Sequence, residues 1–220
     1  MKKISPVDRT KQEARKYYNS ISGVYDWITT SEEKFIRQGV DLLAVSPGEN
    51  ILEIGCGTGR ALSMIGKKRS GSGSLMGLDL SRQMLIQSLQ KTKSQTPAPY
   101  FVQGDGTNLP IKNDQFDGVF LSFTLELFPV EEMQVVLKQI GRVLKPDGRL
   151  LVIAMAKEPY NLPVRIYELA HQLFPVALDC RPIPLTDLLA ENGFLILETK
   201  KWMNWGLPID IALCEPARKS

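Results

Sequence analysis

Short apolar runs alternate with amphipathic stretches through the middle of this chain. Runs at 50–54, 74–79, 99–103, 116–121 and 148–154 are brief, apolar and bounded by turn formers, which predicts buried strands. Between them, 59–67, 81–92 and 130–144 keep helical spacing. Ser81 stands as a cap, and Met133, Val136, Leu137, Ile140, Val143 and Leu144 line one face. Pro146, Asp147 and Gly148 supply the turn into the fifth strand. Repeated strand–helix units predict an α/β fold with a parallel, doubly wound sheet.

The flanks read differently. Residues 5–20 are polar and helix-tolerant, 21–30 read as a turn, and 31–45 read as an amphipathic helix capped by Ser31. Phe35, Ile36, Val40, Leu42 and Leu43 form its apolar face, and Pro47-Gly48 ends it. After the fifth strand the alternation breaks over 156–182, dense in proline and bulky apolar residues. It resumes as a helix at 185–192 and strands at 194–199 and 207–214. A loop with Gly206 and Pro208 can join these two as an antiparallel edge pair. Ser70–Ser74 is a short flexible turn, and no internal repeat is visible.

The chemistry concentrates in 51–60, ILEIGCGTGR, where an apolar strand enters a glycine-rich turn and then a helix. Glycines let backbone approach a ligand closely, and the helix start offers free N–H groups. Asp79 closes the next apolar run, placed to accept hydrogen bonds from ribose hydroxyls. This arrangement predicts a nucleoside pocket. Spacing separates the ligands: Gly55, Gly57 and Gly59 read G-x-G-x-G, whereas dinucleotide folds favour G-x-G-x-x-G. Glu53 either holds the glycine turn or neighbours the ligand. Asp105, beside Gly106, is either an Asp-Gly turn former or a second ligand contact.

Composition narrows the class only modestly. With 220 residues, 43% hydrophobic and 23% charged, the chain suits one globular domain. A net charge of +3 gives no reason to expect nucleic acid. Part of the excess lies in Lys2, Lys3, Arg9, Lys11, Arg15 and Lys16, and in Lys67-Lys68-Arg69. These are solvated surfaces, or a source of weak peripheral attraction to anionic lipid. No apolar segment follows the first lysines as a signal peptide requires, and no window approaches a membrane span. Cys56, Cys180 and Cys214 are odd in number and far apart, which predicts no disulfide framework and a reducing cytoplasm. One histidine and no paired cysteines predict no metal site.

Together, the 51–60 segment, Asp79, QGDGTNLP at 103–110 and FDGVFLSFTLELF at 116–128 resemble, in order, the motifs of class I S-adenosylmethionine-dependent methyltransferases. YYNSISGVYDWIT and VLKPDGRLLVI resemble the ubiquinone/menaquinone C-methyltransferase and phospholipid N-methyltransferase-like group. The resemblance implies a Rossmann-like sheet of seven strands with the last antiparallel. It implies an N-terminal helical lid (1–46), a cofactor core (49–154), a substrate-side insertion (155–183) and a C-terminal helix with edge strands (184–220). The implied cofactor is S-adenosyl-L-methionine, leaving as S-adenosyl-L-homocysteine. Its implied contacts are Glu53, Gly55, Cys56, Gly57, Gly59, Asp79, Leu80, Asp105, Gly106, Leu121 and Tyr25. Asp105 would meet the adenine amino group.

The acceptor should enter over the carboxyl ends of the strands. Tyr17, Tyr18, Tyr25 and Trp27 are expected on one side, with Tyr160, Tyr167, His171 and Phe174 on the other and Glu126 starting the facing loop. Tyr167 and His171, four apart, share a helix face and with Tyr25 are the catalytic candidates. Packing or a helix cap would explain the first two as well. Trp202 and Trp205 wall the pocket or pack the edge. Apolar bulk in the insertion predicts a small hydrophobic acceptor, a quinone precursor or lipid headgroup, methylated in line. Competing readings are a non-catalytic cofactor-binding module, a nicotinamide oxidoreductase and a cysteine-based metalloid methyltransferase.

Overall fold

A computed structural model describes residues 4, 9–68, 72–173 and 180–217. Lys2, Lys3, Arg69 and Phe174 lie outside the described residues. Seven strands form one sheet: β1 (Ile51–Ile54), β2 (Leu75–Asp79), β3 (Tyr100–Gln103), β4 (Phe116–Ser122), β5 (Leu144–Met155), β6 (Phe194–Asn204) and β7 (Leu207–Pro216). Their order is β3-β2-β1-β4-β5-β7-β6, and β7 alone runs antiparallel to its neighbours. This is the seven-stranded Rossmann-like sheet with an antiparallel last strand.

Helices α1 (Lys11–Ile21), α2 (Tyr25–Ile28) and α3 (Glu33–Leu43) precede the sheet. The remaining helices are α4 (Arg60–Lys68), α5 (Arg82–Thr92), α6 (Val130–Val143), α7 (Leu162–Leu173) and α8 (Leu185–Glu191). Alternation along the central strands divides the core into two layers. Phe35, Ile36, Val40 and Leu43 of α3 pack with Leu62 and Ile65 of α4 against Leu151 and Ile153. On the other face Val136, Leu137 and Ile140 of α6 and Leu188 and Leu189 of α8 meet Val119, Leu121, Leu150 and Val152. The expected apolar face of α6 is thus the one buried, and Ser81 caps α5 by accepting from the Met84 N–H at 3.2 Å.

Several expectations need correction. Residues 21–30 are not simply a turn, because α2 forms one helical turn there. Ser31 does not cap α3. It lies in a 3-10 turn, Thr30–Glu32, whose backbone already feeds into the helix, and its hydroxyl accepts from Asn204 at 3.4 Å. That helix stops at Leu43 with Ala44 left-handed (φ 50°), before Pro47-Gly48 is reached. The break after β5 contains α7. Strand β6 runs on to Asn204, so the hairpin loop is only Trp205-Gly206, both at positive φ (53° and 80°), and Pro208 lies inside β7. Two positive-φ residues suit the twist of a two-residue hairpin.

Candidate active site

Strands β1–β3 fan one way from the sheet centre and β4 starts the other, so the carboxyl ends of β1 and β4 border a crevice. The cleft there has an empty volume of about 1130 Å³, open mouth included. Beyond β1, Gly55, Gly57 and Gly59 all take positive φ (70°, 50° and 77°), which glycine alone adopts without strain. The N–H groups of Gly55 and Cys56 donate to the Leu78 carbonyl at 2.8 and 3.1 Å. Asp79 secures the turn from β2: one carboxylate oxygen accepts from the Gly57 N–H at 2.8 Å, the other from the Ser81 N–H at 2.7 Å. Glu53 is buried and accepts from the Leu62 N–H at 3.0 Å, so it holds the first turn of α4. It also lines the cleft.

Glu53, Asp79 and Asp105 are among the six acidic residues that line this cavity. Burial drives Glu53 well above the usual carboxylate range. Burial likewise lifts Asp79 to about 6, against the pull of backbone N–H groups from Ser81, Gly57 and Leu80. At Asp105 burial also acts upward, but the Lys11 ammonium 2.7 Å away and hydrogen bonds from Thr107 outweigh it and hold the carboxyl low. Apolar walls come from Ile36, Met84, Phe123, Leu127 and Phe128. A carboxylate at a strand end, beside a glycine turn and among apolar walls, suits a nucleoside.

The N-terminal helices cover this cleft through three polar latches. Lys11 pairs with Asp105 and with Glu132 (3.1 Å). Asn19 accepts from the Ser81 hydroxyl at 2.7 Å and the Gln83 N–H at 3.2 Å. Asp26 accepts from the Thr58 hydroxyl at 2.5 Å, pairs with Lys91, and meets Arg60 at 3.2 Å. Burial would raise the Asp26 carboxyl, yet the Lys91 and Thr58 hydrogen bonds leave it lowered. Arg60 ties the same segment down by donating to the carbonyls of Thr29 (2.7 Å) and Asp26 (2.9 Å).

Of the residues singled out from sequence, Glu53, Gly55, Cys56, Gly57, Asp79, Leu80, Asp105, Gly106, Tyr18 and Tyr25 line the cleft. Leu121 and Gly59 do not. Leu121 belongs to the core beneath the sheet end, and Ser122, Phe123 and Thr124 take the lining position. Gly59 faces Ser88 of α5. Tyr167 and His171 do share a helix face but stand outside the lining. The Tyr167 hydroxyl donates to the Cys180 carbonyl at 3.0 Å, and His171 is only 4% exposed. Tyr160 is exposed and bonded to Glu168. Glu126 is fully buried, and its carboxylate accepts from the Met155 N–H at 3.2 Å instead of starting an open loop. Trp202 packs edge-on against Phe35 (centroids 6.5 Å apart), while Trp205 is exposed; neither walls the cleft. Sequence reasoning missed Lys11, Thr58, Arg60 and Lys91. Only the Tyr-Asp pair at 25–26 carried a trace of the third latch.

Residues 51–148 match the model of a methyltransferase domain. The demethylmenaquinone methyltransferase of Staphylococcus carnosus is 31% identical over 169 residues, covering 74% of this chain and 67% of that protein. A 2-phytyl-1,4-naphthoquinone methyltransferase of Trichormus variabilis is 24% identical over 184 residues, covering 80% and 76%. Among solved structures, a magnesium protoporphyrin IX methyltransferase of Synechocystis with bound S-adenosylhomocysteine superposes with TM-score 0.75 at 21% identity, covering 94% of this chain and 100% of that one. A [4+2]-cyclase superposes comparably (TM-score 0.78, 15% identity, covering 97% and 98%), so backbone likeness at this level speaks for fold alone.

Proposed function

This chain belongs to the class I S-adenosylmethionine-dependent methyltransferases, and from that premise we propose that it methylates a small lipophilic acceptor of the quinol type at the mouth of the cleft. The observation that carries the cofactor assignment is Asp79: its carboxylate lies at the carboxyl end of β2, against the glycine turn and lining the cavity. The residues fit the cofactor. Gly55 and Gly57 of the turn both line the cleft; an added Cβ on Gly57 would meet nothing nearer than the Tyr25 ring at 4.0 Å, whereas one on Gly55 would run into the Thr124 side chain.

When bound, S-adenosylmethionine supplies a methyl group already made electrophilic by its sulfonium. The protein's task is to bind, align and keep water out. Asp79 would accept hydrogen bonds from the ribose hydroxyls, and Asp105 with the backbone beside Gly106 would receive the adenine edge. Glu53 keeps the start of α4, and with it the glycine turn, in place. The latched N-terminal helices exclude bulk water, and Tyr18, Tyr25, Ile36 and Phe123 form the surface against which an apolar acceptor is held. Positioning of this kind supplies on the order of 7–11 kcal/mol of a barrier, without a dedicated base. Tyr25 is the contact residue among the three catalytic candidates. Tyr167 holds the insertion through the Cys180 carbonyl, and His171 is buried outside the lining.

Apolar walls and the two quinone-named relatives support a hydrophobic acceptor. Three free cysteines support a reducing, cytoplasmic setting. Among the described residues no helix is long and apolar enough to cross a membrane. The relatives compared are both named methyltransferases and lend nothing to the oxidoreductase or binding-module readings. Calorimetric titration is expected to give binding of S-adenosylmethionine and S-adenosylhomocysteine with no heat from NAD. Radiolabelled methyl should then appear in detergent-dispersed quinols. Binding of NAD alone, or activity confined to small polar acceptors, would overturn the reading.

The lid makes its own prediction. Asp26→Ala removes the shared partner of Thr58, Arg60 and Lys91. It should weaken cofactor binding roughly tenfold, about 1.4 kcal/mol, because charged hydrogen bonds contribute about 1.5–3 kcal/mol and half-exposed ones less. Melting temperature should hardly move. Unchanged affinity in a calorimetric titration would mean the lid is closed by its other contacts.

A further inference from the structure

The carboxyl edge of the sheet carries more exposed apolar surface than the cleft accounts for. Trp27 in α2 is 83% exposed, and Trp205, at the tip of the β6–β7 hairpin, is 87% exposed. Leu162, Ile166 and Leu169 form a stripe along α7 at helical spacing, each 58 to 65% exposed. Such a stripe ordinarily faces a core. Here it faces away, while Val164 on the same helix is buried.

Three hydrogen bonds bring these pieces next to one another. The Thr30 hydroxyl donates to the Trp27 carbonyl at 2.9 Å, fixing the end of α2 on the 3-10 turn. From the hairpin, Asn204 reaches Ser31 of that turn at 3.4 Å. Beyond it, Asn161 at the start of α7 donates to the Gly206 carbonyl at 3.0 Å. Because Met155 at the end of β5 pairs with Ile209, the hairpin tip projects past the carboxyl ends of the parallel strands. The surface therefore lies on the same edge as the cleft mouth.

Exposed cations stand on it. Lys34 lines one hollow with Asn204, Trp205 and the Glu33–Arg37 pair, and Arg165 stands exposed beside Ile166. On the lid, Arg15 and Lys16 are also exposed. Among the acids on these elements, Glu33 pairs with Arg37, and Glu168 with Lys157 and the Tyr160 hydroxyl; Glu32 and Glu158 stand there as well. Exposed tryptophans on an apolar face ringed by cations match the headgroup boundary of a bilayer, where indole rings settle and anionic lipid attracts Lys and Arg.

We propose that this edge docks onto an anionic lipid bilayer, presenting the cleft mouth to the membrane. The surface stands on its own geometry; its use, admission of a membrane-dissolved acceptor, rests on the reading of function above. Docking is peripheral and salt-sensitive, since the cations act within a Debye length of the lipid.

Sedimentation of the full chain with sucrose-loaded vesicles tests it, using phosphatidylcholine alone or mixed equally with phosphatidylglycerol. The protein should pellet with the mixed vesicles, pellet far less with phosphatidylcholine, and return to the supernatant in high salt. Trp205→Ser combined with Ile166→Ser should lower retention roughly tenfold, as affinity scales with inserted apolar area. Trp27→Ser alone should lower it less, and tryptophan emission should shift to the blue on binding. Unchanged retention in the double variant, or no pelleting with anionic vesicles, would overturn the proposal. So would a dimer at sedimentation equilibrium that the double variant dissolves, since a second copy would then cover the face. Turnover of a short-chain, water-soluble quinol separates the two readings. Turnover without vesicle binding removes the membrane surface alone, and vesicle binding without turnover on any quinol removes the acceptor assignment alone.

Discussion

Asp79→Ala is expected to weaken S-adenosylmethionine binding by about 3 kcal/mol, roughly a hundredfold, since hydrogen bonds to a charged group contribute about 1.5–3 kcal/mol each and the turn loosens as well. The carboxylate has two duties. It holds the Gly57 and Ser81 N–H groups, and the residue lines the cleft. Asp79→Asn keeps the volume but must set an amide N–H against a backbone N–H or turn its only oxygen to one of them. It should lose nearly as much. Calorimetry on folded variants reads both, and wild-type affinity in Asp79→Ala would remove this acid from the site.

The same side chain predicts a pH dependence. Burial raises its pKa from the ordinary 3.8 to about 6. Binding calls on the ionised form, so affinity should be level above neutrality and fall as pH drops through about 6. Stability moves the opposite way: between pH 3.8 and about 6 the unfolded chain has released the proton while the folded one keeps it. This contribution therefore destabilises the fold as pH rises through that window and is constant above it. The Asp79 share of both dependences should disappear in Asp79→Ala, leaving that of Glu53, which burial also raises.

The second large effect belongs to Gly59→Ala. At φ 77° an L-residue is strained, and the added Cβ would run into the Ser88 hydroxyl and come within 3.0 Å of the Ser88 Cα on α5. Left-handed backbone costs about 1–2 kcal/mol and overpacking about 1–3. A loss of roughly 2–5 kcal/mol should lower the melting temperature by about 5–15 °C for a chain of this size. Ser88→Ala should restore only part of it, because the backbone strain and the Cα approach persist. Gly57→Ala makes the useful contrast. Its Cβ meets open cleft, so stability should drop less while cofactor affinity suffers more. Equal melting temperatures for Gly59→Ala and wild type would refute the packing argument.

The readable parts of the site are those where one short segment does the chemistry. The glycine turn, Asp79 and Asp105 each announce themselves by residue type beside a strand end, and all but Gly59 among these reach the cleft lining. Gly59 looks identical in the motif, but its missing Cβ makes room for α5, not for a ligand. His171 shows the reverse failure. A lone histidine four residues from a tyrosine looks reactive in a string, yet it is buried at a distance from the lining. Lys11 carried no local mark at all, because its partners Asp105 and Glu132 come from two remote segments.

The alternation of strands and helices, the apolar faces of α3 and α6, the nucleoside-type turn and the family resemblance were all readable along the chain. Each depends on periodicity or on a few adjacent residues whose backbone needs are local. The tertiary structure alone decided which groups share the cleft, how the lid is latched, and that Trp27, Trp205 and the outer stripe of α7 stand on one edge. Those outcomes depend on where the chain returns in space, and distances between remote segments are fixed only when the sheet order and its packing are complete.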